Sequence, residues 1–487
     1  MKNIFNILII IALTSLFVSC EKFLDLKPLS EGVAITNTTA DSALYADASE
    51  VEAALGGVYD DFRNEYYELD YFVNGDAQSD DAYAGADNPA NFQIDDYAID
   101  ATNLNINRDW AYLYSMIGKA NTVINNLEGV PGLSEDRKNE IKGEASFIRA
   151  FNYFQLVQLW GDVPLQLTEI KTISAELLPE LYLIMFPPRA LAKDVYEQII
   201  KDLELAVQYA PVSAPHKGYA TKGAANAMLA KVYATSTDYR DWSKVLTYCD
   251  AVISGGYSLL ENYDQLWDNS VENSSESIFE INYEGTPSSG NWGVNMFRGL
   301  DWKKFNIPSN DLVAAFDAEG DVIRKNASII WQDVSGKWND PNWPQTNYPF
   351  LNKWRDLSQP SPQNYIFIRL ADIMLLKAEA LNETGDVSGA KALVDQIRSR
   401  VNLPGTPANN QADMRLAIEK ERRLELAFEG HRWFDLKRTG RAVEVMNKVP
   451  TLNGAGYRYN INPNRLLWPI PQAELDKNVN LTQNPGY

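Results

Sequence analysis

The stretch Glu419–Arg438, EKERRLELAFEGHRWFDLKR, combines an unusual composition with regular spacing, and it orders the rest of the chain. Its spacing predicts two short helices around Gly430. Leu416, Leu424, Ala427 and Phe428 before the glycine, and Trp433, Phe434 and Leu436 after it, supply apolar faces at helical intervals. Gly430 is expected to take the left-handed conformation that ends the first helix. Glu421, Arg422, Arg423, Glu425, Glu429, Arg432, Asp435, Lys437 and Arg438 cannot all face water if the neighbouring aromatics are buried. Some of them are therefore expected to pair near the interior, a role suited to Arg, whose guanidinium meets carboxylates in bidentate geometry. A solvated helix laced with i,i+4 pairs fits the same spacing.

The chain has 487 residues, 45% of them apolar, which is ample for a large core. A net charge of −21 and a pI near 4.6 argue against nucleic acid or an anionic membrane surface as the main partner. With only His216 and His431, a histidine-rich metal site is excluded, and neither a Gly-rich phosphate loop nor metal-ligand spacing implies a cofactor. Lys2, an apolar run from Ile4 to Val18, and Ser19-Cys20 read as a lipoprotein signal cleaved before Cys20, with Cys20 the site of lipid attachment. Cys249 is then expected to be a small core residue on a helix.

From Phe23 to Leu44 the polar sequence suits a tether. A helix follows, with capping-box spacing at Ser49 and Glu52 and an apolar stripe through Val51, Leu55, Val58 and Phe62. Tyr66 to Tyr97 reads as a long loop. Its carboxylates Asp76, Asp80, Asp81 and Asp87 are expected to be solvated in preference to holding calcium, because Asp81 stands where an EF-hand loop requires Gly. Two helical hairpins are expected downstream, one pairing the Gly223, Ala227, Ala230, Ala234 face with Trp242, Val245, Cys249 and Val252. The other joins Ala371, Leu375 and Ala378 to Ala390, Val394 and Ile397 across a Gly385 turn. Small residues facing large ones suggest tetratricopeptide-like units.

Between the hairpins, from about Tyr257 to Tyr365, the composition changes. This insert carries Trp267, Trp292, Trp302, Trp331, Trp338, Trp343 and Trp354 among Gly, Asn, Ser and Pro. Indoles in irregular segments either fill a local core or form a platform on which the apolar faces of sugar rings stack. Trp292, in the turn Ser289-Gly290-Asn291-Trp292-Gly293, is the first choice for such a platform, followed by Trp331, Trp338 and Trp343. The segment Leu466–Pro471 is expected to be extended and buried.

The opening stretch, with CEKFLDLKP at Cys20–Pro28, FIRAFNYFQLVQLWGDVPL at Phe147–Leu165, RLADIMLLKAEALNETGD at Arg369–Asp386, and the closing LLWPIPQAELDKN and NPGY, resembles the SusD/RagB family of outer-membrane nutrient-binding lipoproteins of Bacteroidetes. The resemblance covers nearly the whole chain. It implies a mainly α fold, with four tetratricopeptide-like units as a right-handed scaffold and a loop-rich, aromatic-rich lobe containing short strands. It also implies ligand contacts from loops outside the repeats, which adds Tyr83, Asn88 and Phe92 to the candidates. The chain then divides into a signal peptide over 1–19, a lipidated tether over 20–44 and one domain over 45–487. Within that domain the scaffold lies mainly over 110–256 and 366–440, the ligand lobe over 64–105 and 257–365, and an extended segment over 441–487. The implied function is non-enzymatic capture of an oligosaccharide at the cell surface, anchored to the outer membrane, and its transfer to a SusC-like TonB-dependent transporter. Peptide capture, a glycoside hydrolase using carboxylates of the insert, and a helical-repeat adaptor without a small ligand are the alternatives.

Overall fold

The computed structural model describes residues 44–85, 88–170, 176–299, 303–451 and 456–487, and Tyr45–Tyr487 forms one compact unit. The signal, Cys20, the tether, Asp87 and Trp302 lie outside the described residues. The scaffold is built from α1 (Ala48–Asp60), α2 (Leu104–Asn125), α3 (Glu135–Trp160), α4 (Leu178–Met185), α5 (Ala192–Tyr209), α6 (Lys222–Thr235), α7 (Trp242–Ile253), α8 (Leu370–Glu383), α9 (Val387–Arg400), α10 (Gln411–Glu425) and α11 (Arg432–Arg438). α2 packs on α3, α3 on α5, α5 on α6, α6 on α7, α7 on α8 and α8 on α9, so each helix mainly covers its neighbours, as in a tetratricopeptide-like array. The small face of α6 permits this. Ala224, Ala227, Ala230 and Ala234 are buried, and Val245, Cys249 and Val252 of α7 fill the space they leave.

The insert enters after α7 and leaves before α8, yet α7 and α8 touch directly. Its two ends are clamped by strands β4 (Ser277–Ile281) and β8 (Tyr365–Arg369), which pair antiparallel and are buried throughout. Trp267 and Trp354 pack edge to face, 5.4 Å between centroids, and each is only 1% exposed, so these two indoles belong to the core. The C-terminal segment is buried through Trp468 and Ile470 without joining a sheet. Trp468 N–H donates to the Leu159 carbonyl at 2.8 Å, and Trp160 Nε1 donates to the Pro469 carbonyl at 2.9 Å.

Four expectations need correction. α1 is capped by Asp47 and not by a Ser49–Glu52 box: the Asp47 carboxylate accepts from the N–H groups of Ser49 and Glu50 at 2.8 and 3.2 Å. Tyr66–Tyr97 is no open loop. Tyr66–Asp70 and Val73–Ala77 are wide π-type turns buried at every position, because their tyrosines and Phe72 pack against Phe151, Phe367 and Trp354. Asp76, Asp80 and Asp81 are accordingly buried and not solvated. Leu416 is also misplaced, at 54% exposed, since the inner face of α10 runs through Met414, Ile418, Glu421, Leu424 and Glu425 instead.

Candidate ligand surface

The stretch from Glu419 to Arg438 joins scaffold and lobe through buried ion pairs. Arg369, at the start of α8, bonds Glu276 at 2.9 Å, Glu425 at 2.6 Å and Glu429 at 2.7 Å, and Lys353 of the insert reaches Glu429 at 2.6 Å. Arg324 bridges Glu421 at 2.7 Å and Glu425 at 3.0 Å. Burial alone would raise the Glu425 carboxyl. Arg400, Arg369 and Arg324 outweigh it and hold the group well below the usual range. Arg432 grips Asp80 with two nitrogens, at 2.7 and 2.8 Å, while Arg423 bonds Asp81 at 2.6 Å and Asp311 at 2.7 Å. The paired reading of this segment therefore holds for these groups. Removing one partner from such a site typically costs about 3–5 kcal/mol, because a charge is left buried and alone.

Directly after Asp81, β1 (Ala82–Tyr83) pairs with β5 (Ile307–Pro308), and β6 (Ile329–Gln332) pairs with β7 (Tyr348–Leu351). These strands bring Tyr83 of the first segment to Trp338 of the insert, which share a small satellite core. Tyr83 is buried, and its hydroxyl donates to Asp340 Oδ2 at 2.9 Å while lying 3.1 Å from the Tyr348 hydroxyl. It therefore supports Asp340 and offers no open face of its own. Burial works against the charge of Asp340, but hydrogen bonds from Tyr348, Asn342 and Tyr83 hold its carboxyl below the ordinary range. Lys304 Nζ lies 3.7 Å from Asp340 and 4.2 Å from the centroid of the half-buried Trp338 ring. Trp331 and Trp343 form an edge-to-face pair at 5.2 Å, with Trp343 Nε1 donating to the Pro308 carbonyl at 3.0 Å. Asn88 caps the short helix Pro89–Asp95 by accepting from the N–H groups of Ala90 and Asn91, and Phe92 lies half-buried on that helix. The sequence could not supply Lys304, Asp340 or Tyr348 as members of this cluster, because Tyr83 and Asp340 lie 257 positions apart.

Trp292 stands apart from that cluster. It is 39% exposed, in a turn fixed from below: the N–H groups of Trp292 and Gly293 both donate to Glu68, and Asn291 pairs with Ser361 and Gln363 at 2.8 Å each. Burial pushes the Glu68 carboxyl up to about 8, against the lowering effect of these two N–H bonds. Ser288 and Ser289 of the adjoining turn line a cleft of about 450 Å³ with Arg63, His216, Tyr219 and Asn282. Its size falls in the range of small-ligand sites. His216 and Tyr219, which the sequence did not single out as ligand contacts, pack in its wall with their rings tilted by 40° and 4.6 Å between centroids.

The fold is a tetratricopeptide-like helical array that carries an aromatic-rich insert. Comparison with known proteins gives the family. The SusD family model matches residues 296–487, and a second model, described as starch-binding associating with outer membrane, matches residues 22–234. SusD-like protein P25 of Formosa agariphila is 28% identical over 99% of this chain and 99% of its own. Starch-binding protein SusD of Bacteroides thetaiotaomicron is 23% identical over 74% of this chain and 75% of its own. Among solved structures, a laminarin binding SusD-like protein is 29% identical and aligns with a TM-score of 0.74 over 91% of this chain and 100% of its own. The chain belongs to the SusD/RagB family of starch- and glycan-binding, outer-membrane-associated proteins.

Proposed function

We propose that this chain is a non-catalytic lipoprotein, anchored through Cys20 and facing the cell surface, that captures an oligosaccharide and passes it to a SusC-like TonB-dependent transporter. The observation that carries the binding step is the exposure of Trp292: folding leaves this indole partly in water, in a turn whose Ser288 and Ser289 line a cleft with Arg63, Tyr219 and Asn282. Sugar C–H faces stack on such a ring while Asn282, Ser288 and Arg63 are placed to reach hydroxyls. The laminarin binding neighbour makes laminarin the first ligand to try.

The test is titration of purified protein with laminarin, starch and unrelated oligosaccharides. Trp292→Ala should weaken binding by roughly tenfold to a hundredfold, with the melting temperature unchanged. Intact binding in that variant together with a loss of several degrees would make Trp292 a packing residue and move the site to the Trp338–Lys304 cluster. Turnover of a glycan, abolished by one Asp or Glu substitution in the insert, would replace the reading with a hydrolase.

A further inference from the structure

Helix α4 is made of side chains that folding leaves outside the core. From Leu177 to Phe186 the sequence LLPELYLIMF contains a single acidic or basic residue, Glu180. No residue of the helix is buried, and Leu178, Tyr182, Leu183 and Ile184 are 45, 42, 62 and 40% exposed. Tyr182, Leu183 and Ile184 are consecutive, so they project about 100° apart around the axis. The exposed apolar residues are therefore spread around the axis and not confined to one stripe, a pattern normally found only where a helix is enclosed.

The shape of that exposure selects the partner. A folded protein surface could cover one side of the helix and would leave the others in water, whereas fluid hydrocarbon closes around all of them. With eight residues the helix is about 12 Å long, too short to span a bilayer, and among the described residues no helix is long and apolar enough to cross one. Insertion into one leaflet is what remains.

The position of the helix agrees. Its far end is held to the domain by Asn480 and Asn478, which donate to the carbonyls of Phe186 and Pro187 at 2.7 and 2.8 Å. On its near side, the Glu169 carboxylate accepts from Asn126 at 2.7 Å and acts electrostatically on the phenol of Tyr45, where the compact unit begins. Leu178 lies nine positions beyond Glu169, a reach of at most about 30 Å.

We infer that α4 inserts into the acyl-chain region of the membrane surface and holds the domain against the bilayer. This goes beyond carbohydrate capture and uses only the proposed membrane location. Because the chain is strongly acidic, the attachment draws on apolar burial and is insensitive to salt.

The experiment uses residues 21–487, which keep the whole compact unit and lack the acylated cysteine, mixed with neutral phosphatidylcholine vesicles and separated by flotation. The protein should float with the vesicles equally at low salt and at about 0.5 M salt, where charge interactions are screened. Leu183→Glu/Ile184→Glu should lower the fraction bound at least about tenfold while melting temperature and glycan binding stay unchanged. Absence of flotation by the unsubstituted protein, or equal flotation of the double variant, overturns the inference. Normal flotation with lost co-purification of the outer-membrane transporter overturns it in favour of a protein partner. Glycan titration of the same samples reports separately on carbohydrate capture.

Discussion

Gly75 and Gly430 meet backbone to backbone: a Cβ built on Gly75 would lie 2.5 Å from the Gly430 Cα and closer still to its carbonyl. This contact seats the buried π-type turn against the left-handed bend between α10 and α11, where Gly430 has φ +76°. Asp76, the next residue, accepts from the Gly430 N–H at 3.1 Å. Neither backbone can retreat from the other without breaking that bond. Gly75→Ala should therefore destabilise the domain by about 1–3 kcal/mol, the usual range for overpacking a rigid contact. Chemical denaturation would measure it, and a change within about 0.5 kcal/mol, ordinary for surface substitutions, would mean that the two segments can separate freely.

The ion network offers a second test. Arg369→Met keeps much of the volume but leaves Glu276, Glu425 and Glu429 short of a cation in a fully buried site. A loss of about 3–5 kcal/mol is expected. Glu425 and Glu429 have carboxyls held below their unfolded values. Their stabilisation is present above the ordinary carboxylate range and is lost as pH falls through the lowered folded values. The gap between wild type and Arg369→Met should narrow on acidification, as followed by melting temperature against pH.

Glu68 has the opposite sign. Burial raises its carboxyl to about 8, so between the ordinary range and that value the folded state holds a proton that the unfolded chain releases. Its contribution is greatest at acid pH and is lost as pH rises toward 8. Glu68→Gln still presents an oxygen to the N–H groups of Trp292 and Gly293 but does not titrate. Relative to wild type it should gain about 3–4 kcal/mol between pH 5 and pH 8. Parallel stability curves for the two proteins would rule this out.

Trp354 is the counterpart of Trp292 within the same insert. It is 1% exposed and packs on Trp267, Tyr365 and Phe72. Trp354→Ala should cost about 3–5 kcal/mol, and any loss of glycan affinity should follow the fraction unfolded. Thermal melts and titrations on the same samples distinguish the two tryptophans.

Membrane attachment has a direct test. Cys20→Ala should lower the membrane-bound fraction without abolishing it, because apolar burial of α4 alone gives weaker, reversible attachment. Unchanged fractionation would remove the lipid from the account.

The helical hairpins were legible because the small residues Ala227, Ala230 and Ala234 and their large partners recur at helical spacing within one local stretch. The pairing of the Glu419–Arg438 charges was legible in part, from the excess of both signs beside buried aromatics. Their partners were not, since Asp80 joins Arg432 from 352 positions away. Asp76, Asp80 and Asp81 looked solvated because sequence shows the charge and hides what faces it. The exposure of Trp292 followed from its Gly-Asn turn, whereas the separation of core indoles such as Trp267 from half-buried ones such as Trp338 depends on neighbours that no local spacing encodes. Helix α4 lay in a region without polar periodicity, and only its lack of buried residues distinguishes it from a core helix.

The antiparallel pair of β4 and β8 closes the insert at its base while α7 and α8 remain in contact. Residues 282–364 thus hang from the array as a cassette with a fixed two-strand plug. Replacing that cassette with one of different length alters the recognition surface and leaves the helical register untouched, as long as Lys353 and Arg324 find substitutes for the charges they supply to Glu429, Glu421 and Glu425. Diversification of such a protein is therefore limited less by the span of the exchanged piece than by the buried groups, two cations and the core indole of Trp354 among them, that any newcomer must carry in with it.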